Sequence, residues 1–188
     1  MKKIFIAVIT IALSAGSATA QDDPAAMKKW MDYMTPGDMQ KLLAQSEGEW
    51  TTESTMWMAP GAPPTTSTGT CVNKMILGGR YLEAKYSGSI MNMPFEGIGN
   101  TGYDNAKKVF MSTWIDNMGT GIIYMTGTWD AATKTITSTG KQVDPMTGKE
   151  IDIKQVYKFV DDKHEYMEMF MTVDGQEMKT MEMKYTRK

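Results

Sequence analysis

From Trp50 to the C-terminus no stretch of the chain has the length and period of a crossover helix, and this constrains the fold more than any other feature. Instead, ten short runs alternate apolar and polar residues: "WTTESTMWM", "TGTCVNKMIL", "RYLEAKYSGSI", "MPFEGIGNTGYD", "KKVFMSTWID", "GIIYMTGTWD", "KTITSTGKQV", "EIDIKQVYKFV", "HEYMEMFMTV" and "QEMKTMEMKYT". Period two is the signature of a strand with one buried face. The breaks are turn clusters: Asp104-Asn105, Asn117-Met118-Gly119, Asp130-Ala131-Ala132, Asp144-Pro145, Asp161-Asp162 and Asp174-Gly175. Links this short join only antiparallel neighbours. A long antiparallel meander has two raw edges, and closing on itself removes both. The expectation is an all-β, up-and-down antiparallel barrel whose interior, at roughly eight to ten strands, holds side chains or one small ligand.

Ahead of the strands the period is helical. Asp23-Pro24 reads as an N-cap followed by an N1 proline, and Met27, Trp30, Met31 and Met34 recur on one helical face. Thr35-Pro36-Gly37-Asp38 starts a second short helix with a capping box, whose apolar positions are Met39, Leu42 and Leu43; Gly48 ends the segment. The first residues read as a secretory leader: basic "MKK", apolar "IFIAVITIALSAG" and the small-residue motif Ala18–Ala20. The apolar run is short for a membrane span, so cleavage is expected, with Gln21 the mature start. The expected organisation is therefore a leader over 1–20, a helical segment over 21–47 and a barrel over 48–188. The product would be exported, periplasmic or secreted, with no transmembrane segment in the mature chain.

Charge and cysteine content exclude several classes. There are 22 acidic and 20 basic residues, two of the latter (Lys2 and Lys3) in the leader, so no nucleic-acid footprint is present. Cys71 is the single cysteine, so no internal disulfide forms and packing alone must hold the fold. It reads as a small buried hydrophobe rather than a reactive thiol.

Gly48-Glu49-Trp50, opening the first strand after a short helix, resembles the Gly-x-Trp of lipocalins and other calycins. In lipocalins that tryptophan closes the barrel floor, which would make Trp50 structural. The longer pattern "TPGDMQKLLAQSEGEW", "LGGRYLEAKYSG", "PFEGIGNTGYDNAKKVF" and "STWIDNMGTG" resembles the exported bacterial family designated domain of unknown function 1579, thought to be calycin-like. The resemblance runs from about Thr35 to the C-terminus. Members often carry a Pro-His pair before Lys-Leu-Leu; here those places hold Met39 and Gln40. The resemblance implies the barrel and assigns no activity.

Methionine is the compositional outlier: 20 of 188 residues, ~2–4 times an ordinary share. Met56/Met58, Met91/Met93, Met167/Met169/Met171 and Met181/Met183 recur at period two, so each set shares a strand face. The plain reading is a soft core or pocket; the sharper one is a Cu(I) site, which needs about three converging sulfurs. A two-residue loop at Asp174-Gly175 would set Met171 opposite Met178, clustering Met169, Met171 and Met178. Met181 and Met183 would then share the other face with Tyr166 and Phe170. A bulge at Gly175 would set Met167 opposite Met181 instead. His164, the only histidine, sits by a turn; solvent exposure suits it better than haem ligation, and one His with one distant Cys makes no zinc site. Asp104 and Asp116 bracket one hairpin and read as turn-forming carboxylates, or else as the acid/base pair of an enzyme acting on a lipid-like substrate. Arg80, after Gly78-Gly79, could meet an acidic head group or stack on Trp50. Glu83 and Lys85 alternate with Leu82, Ala84 and Tyr86, giving that strand one solvated face.

These features favour a binding protein holding a small hydrophobic or amphipathic molecule, with no cofactor. The expected lining is Trp50, Arg80, Tyr103, Trp114, Trp129, Met169 and Met171. The alternatives are a copper protein using Met169, Met171 and Met178, an enzyme, and an envelope protein that pairs along an exposed edge strand.

Overall fold

The structure is a computed structural model and describes residues 23–59, 61–173 and 175–188. The leader, its Ala18–Ala20 motif and the Gln21 start lie outside the described residues. Two helices, α1 (Pro24–Met34) and α2 (Asp38–Ala44), precede ten strands. These are β1 (Gly48–Met56), β2 (Thr65–Ile76), β3 (Tyr81–Ile90), β4 (Met93–Asp104), β5 (Val109–Asp116), β6 (Ile123–Asp130), β7 (Thr135–Val143), β8 (Glu150–Asp161), β9 (His164–Val173) and β10 (Gln176–Arg187). Each strand pairs antiparallel with its sequence neighbours, and β1 also pairs with β10, so the sheet closes into a ten-strand barrel. Among the described strands no edge is left to pair with a second protein. This overturns the edge-strand alternative.

One turn shows how tightly the hairpins are drawn. Ile90 pairs with Met93, leaving a two-residue loop in which Met91 and Asn92 both have positive φ, 52° and 63°. That mirror-image turn matches the twist of the flanking strands, although methionine is an uncommon occupant of its first position.

Because successive links alternate ends, the barrel has two distinct mouths. The β2–β3, β4–β5, β6–β7 and β8–β9 turns gather at the end where α2 sits, here the floor. The β1–β2, β3–β4, β5–β6, β7–β8 and β9–β10 hairpins gather at the opposite end, here the mouth. α2 plugs the floor. Its Leu43 is 2% exposed and packs with Leu82, Phe110, Ile136 and Phe159. Gln40, also buried, fixes the plug from both sides: its Oε1 accepts from Gly37 N (2.8 Å) and its Nε2 donates to Tyr103 O (3.0 Å).

α1 departs from its amphipathic pattern. None of its residues is buried, and Met27, Trp30, Met31 and Tyr33 face solvent. It is held at its C-terminal end instead: Asn105 Nδ2 donates to Tyr33 O and Thr35 O, and Arg80 Nη2 donates to Met34 O.

The β9–β10 hairpin corrects the sequence-based register. Met178 pairs with Met171 as the two-residue loop requires, but the ladder shifts between Lys179 and Met181, with Thr180 the extra residue. Beyond this bulge Met181 pairs with Met169 and Met183 with Met167. One inserted residue reverses the alternation. Met181 and Met183 therefore share the inner face with Met167, Met169, Met171 and Met178, and not the outer face with Tyr166 and Phe170.

Candidate functional site

The interior has two halves of different character. In the floor half the aromatic side chains fill the lumen. Trp50 is fully buried; its Nε1 donates to Ser46 O (2.9 Å), and the Arg187 guanidinium lies 4.2 Å from its ring centre. That guanidinium is held by the chain ends it joins, donating from Nε to Asp162 O (2.8 Å) and from its terminal nitrogens to Gln45 O and Glu47 O. Trp50 thus closes the floor, and its cation–π partner is Arg187. Arg80 is committed elsewhere, donating to Leu77 O (3.0 Å) and Met34 O (2.8 Å) on the outside of the floor end. Tyr103 packs edge-on to Phe110 and Trp129 edge-on to Phe159, both in the floor core.

A buried polar layer lies above the floor. Glu165 accepts from Ser46 Oγ (2.6 Å) and from the Tyr157 hydroxyl, and the Tyr86 and Tyr185 hydroxyls are 3.0 Å apart. Burial raises the Glu165 carboxyl above its ordinary value, opposed by those two hydrogen bonds and by Arg187. Cys71, fully buried, donates from Sγ to Asn73 Oδ1 (3.0 Å), and burial pushes its thiol up to about 12. The signal for Glu165 was present in the sequence: it falls in phase with Met167, Met169 and Met171, a carboxylate on an apolar stripe.

Above this layer the lumen is walled by two different surfaces. On β5, Trp114 lies against the wall over Gly97, where an added Cβ would come within 2.5 Å of the ring. It stacks on Phe95, meets Tyr86 edge-on, and donates from Nε1 to Asp116 Oδ2 (2.7 Å). The absence of a side chain at Gly97 lets the indole lie flat instead of crossing the lumen. Five strands round the ring is β10, where Met178, Met181 and Met183 face inward beside Met167, Met169 and Met171 of β9 and Met56 of β1. Of these, Met56, Met169, Met171, Met178, Met181 and Met183 keep partial solvent access, as do Tyr86, Trp114 and Gln155. Gln142 Nε2 reaches Met171 Sδ at 3.7 Å. By strand alternation, no inward position of this half carries Lys or Arg.

The expected lining therefore separates by depth. Trp114 on one wall and Met169 and Met171 on the other lie in the mouth half; Trp50, Tyr103 and Trp129 lie in the packed floor half; Arg80 lies outside. Met56, Tyr86, Met181, Met183 and Gln155 were missed, the two β10 methionines because of the Thr180 bulge.

The remaining polar candidates are engaged in turns. Asp104 Oδ1 accepts from Ala106 N (2.8 Å) and Lys107 N (3.0 Å), and these hydrogen bonds lower its pKa. Asp116 Oδ1 accepts from Met118 N and Gly119 N. His164 stands outside the barrel at the floor end, its Nδ1 2.9 Å from Asp161 Oδ1. A groove of about 480 Å³ outside the barrel, lined by Lys29, Asp32, Tyr33, Met39 and Asn105, is the seam between α1 and the β4–β5 turn. Among the described residues no group of three His, Cys, Asp or Glu side chains could hold a metal, and no helix is long and apolar enough to cross a membrane.

Comparison with known proteins agrees with this architecture. No curated protein matches. Eleven chains of solved structure match, among them the crystal structure of Rv2717c from M. tuberculosis, with a TM-score of 0.61 and 14% identity over 82% of this chain and 99% of that one. At that identity the likeness concerns the fold. The model of a family described as protein of unknown function, DUF1579, matches residues 35–187, and the chain belongs to that family.

Proposed function

We propose that this is an exported protein that binds a small, uncharged, apolar or amphipathic molecule in the mouth half of its barrel. One observation carries the reading: in the mouth half inward methionines of β1, β9 and β10 keep partial solvent access, and so do Trp114 and Tyr86 on the facing strands. Binding sites for such molecules are concave and mostly apolar, with a few polar groups that fix orientation. Trp114, Tyr86, Met169, Met171, Met181 and Met183 would supply the apolar contact, and Gln155 the hydrogen bonds. The charge of the ligand follows from the lining. With no inward Lys or Arg, an anionic head group would be desolvated without a counter-charge, at a cost of several kcal/mol. A neutral carbonyl or hydroxyl has no such cost. Export rests on the leader: protein recovered from the envelope or medium is expected to begin at Gln21.

Native mass spectrometry of the protein purified from its own host, with no ligand added, tests the reading. The expected result is one added mass in the range of a small lipid-like molecule. The neutral dye Nile red should also bind and be released by that molecule, but not by long-chain fatty acid anions. A bare polypeptide that leaves Nile red unbound would overturn the proposal.

A further inference from the structure

Methionine occurs at both ends of the barrel, Met39 and Met75 packing with the floor cluster, but leucine occurs at only one. Among the described residues every leucine belongs to the floor end: Leu42 and Leu43 on the plug, Leu77 and Leu82 around it. The mouth half has none. It uses methionine, both inward and on the rim, where Met58 (72% exposed), Met91 (67%) and Met146 (89%) stand in solvent on three different hairpins. The adaptable shape of methionine accounts for inward positions in a pocket. It does not account for rim positions, which bury nothing and expose an oxidisable sulfur. What the inward and rim residues share, and leucine lacks, is the thioether.

Register brings three of these thioethers to one place. Met56 pairs with Met181, and Met181 with Met169, so three adjacent strands present one methionine each in a single row on the concave face. Directly opposed positions place their Cβ atoms ~5 Å apart, and methionine's rotatable bonds let three sulfurs meet above that row. The row just below holds Met183 and Met167, and the one above holds Met171 and Met178. The other candidate metal ligands stand elsewhere: the borderline imidazole of His164 is outside the floor, and the Cys71 thiol is buried in the core below, hydrogen-bonded to Asn73.

We propose that the mouth half holds one Cu(I) ion on the thioethers of Met56, Met169 and Met181. Soft, uncharged sulfur ligands favour this ion over Zn(II) and Cu(II), which prefer imidazole, thiolate or carboxylate. The rim methionines then form an outer ring of weak sites around the opening. This goes beyond the ligand reading and does not depend on it.

The test is an anaerobic titration of the full chain with Cu(I), supplied as its acetonitrile complex, against the chromophoric chelator bicinchoninate. It is followed by native mass spectrometry and X-ray absorption. The expected result is one copper per chain with sulfur-only coordination, retained by Cys71→Ser and not replaced by Zn(II). The triple variant Met56→Leu, Met169→Leu, Met181→Leu is expected to lose the copper. Leucine matches methionine in volume, so the fold should persist, read by circular dichroism. Copper is titrated with no other ligand present and Nile red is scored on the wild type alone, so failure of the copper site and failure of the ligand reading are told apart. If the triple variant does not fold, the single variants decide, each expected to weaken Cu(I) binding ~10-fold or more. Absence of bound copper in the wild type, retention of it by the folded triple variant, undiminished affinity in the singles, or its loss with Cys71→Ser would each overturn the proposal.

Discussion

Glu165 is the residue at which solvent conditions act most directly on the fold. Its carboxyl is buried and titrates above its ordinary value of 4.5, so the folded state takes up the proton more readily than the unfolded state. The resulting stabilisation is complete below 4.5 and is lost as pH rises through the raised value. The exposed turn carboxylates Asp104, Asp130, Asp144 and Asp161 are shifted downward by backbone and side-chain hydrogen bonds, and they favour folding in the opposite direction. Comparison with Glu165→Gln isolates the one group. The variant should gain in melting temperature relative to wild type as pH rises from 4.5 to neutrality, measured by circular dichroism; a constant difference would show that Glu165 does not titrate in this window. At Cys71, a thiol pushed up to about 12 leaves roughly one molecule in ten thousand as thiolate at pH 8. Iodoacetamide should therefore label it only after unfolding, a result read directly by mass.

At the scale of the element, the β9–β10 hairpin shows what alternation can and cannot convey. Ten strands were legible because each alternates within itself and ends in turn chemistry. Pairing was legible up to Lys179. Beyond it "KTMEM" reads as regular in either phase, and nothing local marks Thr180 as the residue to be looped out. Depth was also illegible: period two assigns Tyr103, Trp114 and Trp129 to the inner face but gives no height along the barrel axis. Nor could local sequence join Arg187 to Trp50, since only ring closure brings residues so distant into register. The bulge has a testable consequence. Deleting Thr180 restores simple alternation with the same residues facing inward, so that variant should fold at a cost of ~1–2 kcal/mol. Deleting Glu182 turns Met183 and Tyr185 outward and should abolish the cooperative melt.

For the whole molecule, stability should divide unequally between the plug and the helix ahead of it. Leu43 on α2 completes the floor core, and Leu43→Ala is expected to cost ~2–5 kcal/mol. α1 buries nothing and touches the barrel through a few surface hydrogen bonds, so starting the chain at Thr35 should cost ~1 kcal/mol or less. Urea melts of the two variants would test that contrast. Closure between β1 and β10 also imposes an order of events on synthesis. Trp50 is made early, yet its stacking partner is Arg187, on the last strand of the ring. Until β10 is free to pair, the nascent sheet has two bare edges and an unsealed floor, so cooperative folding must await that strand. A prematurely terminated copy would never close, and would stand out to proteases by the same omission.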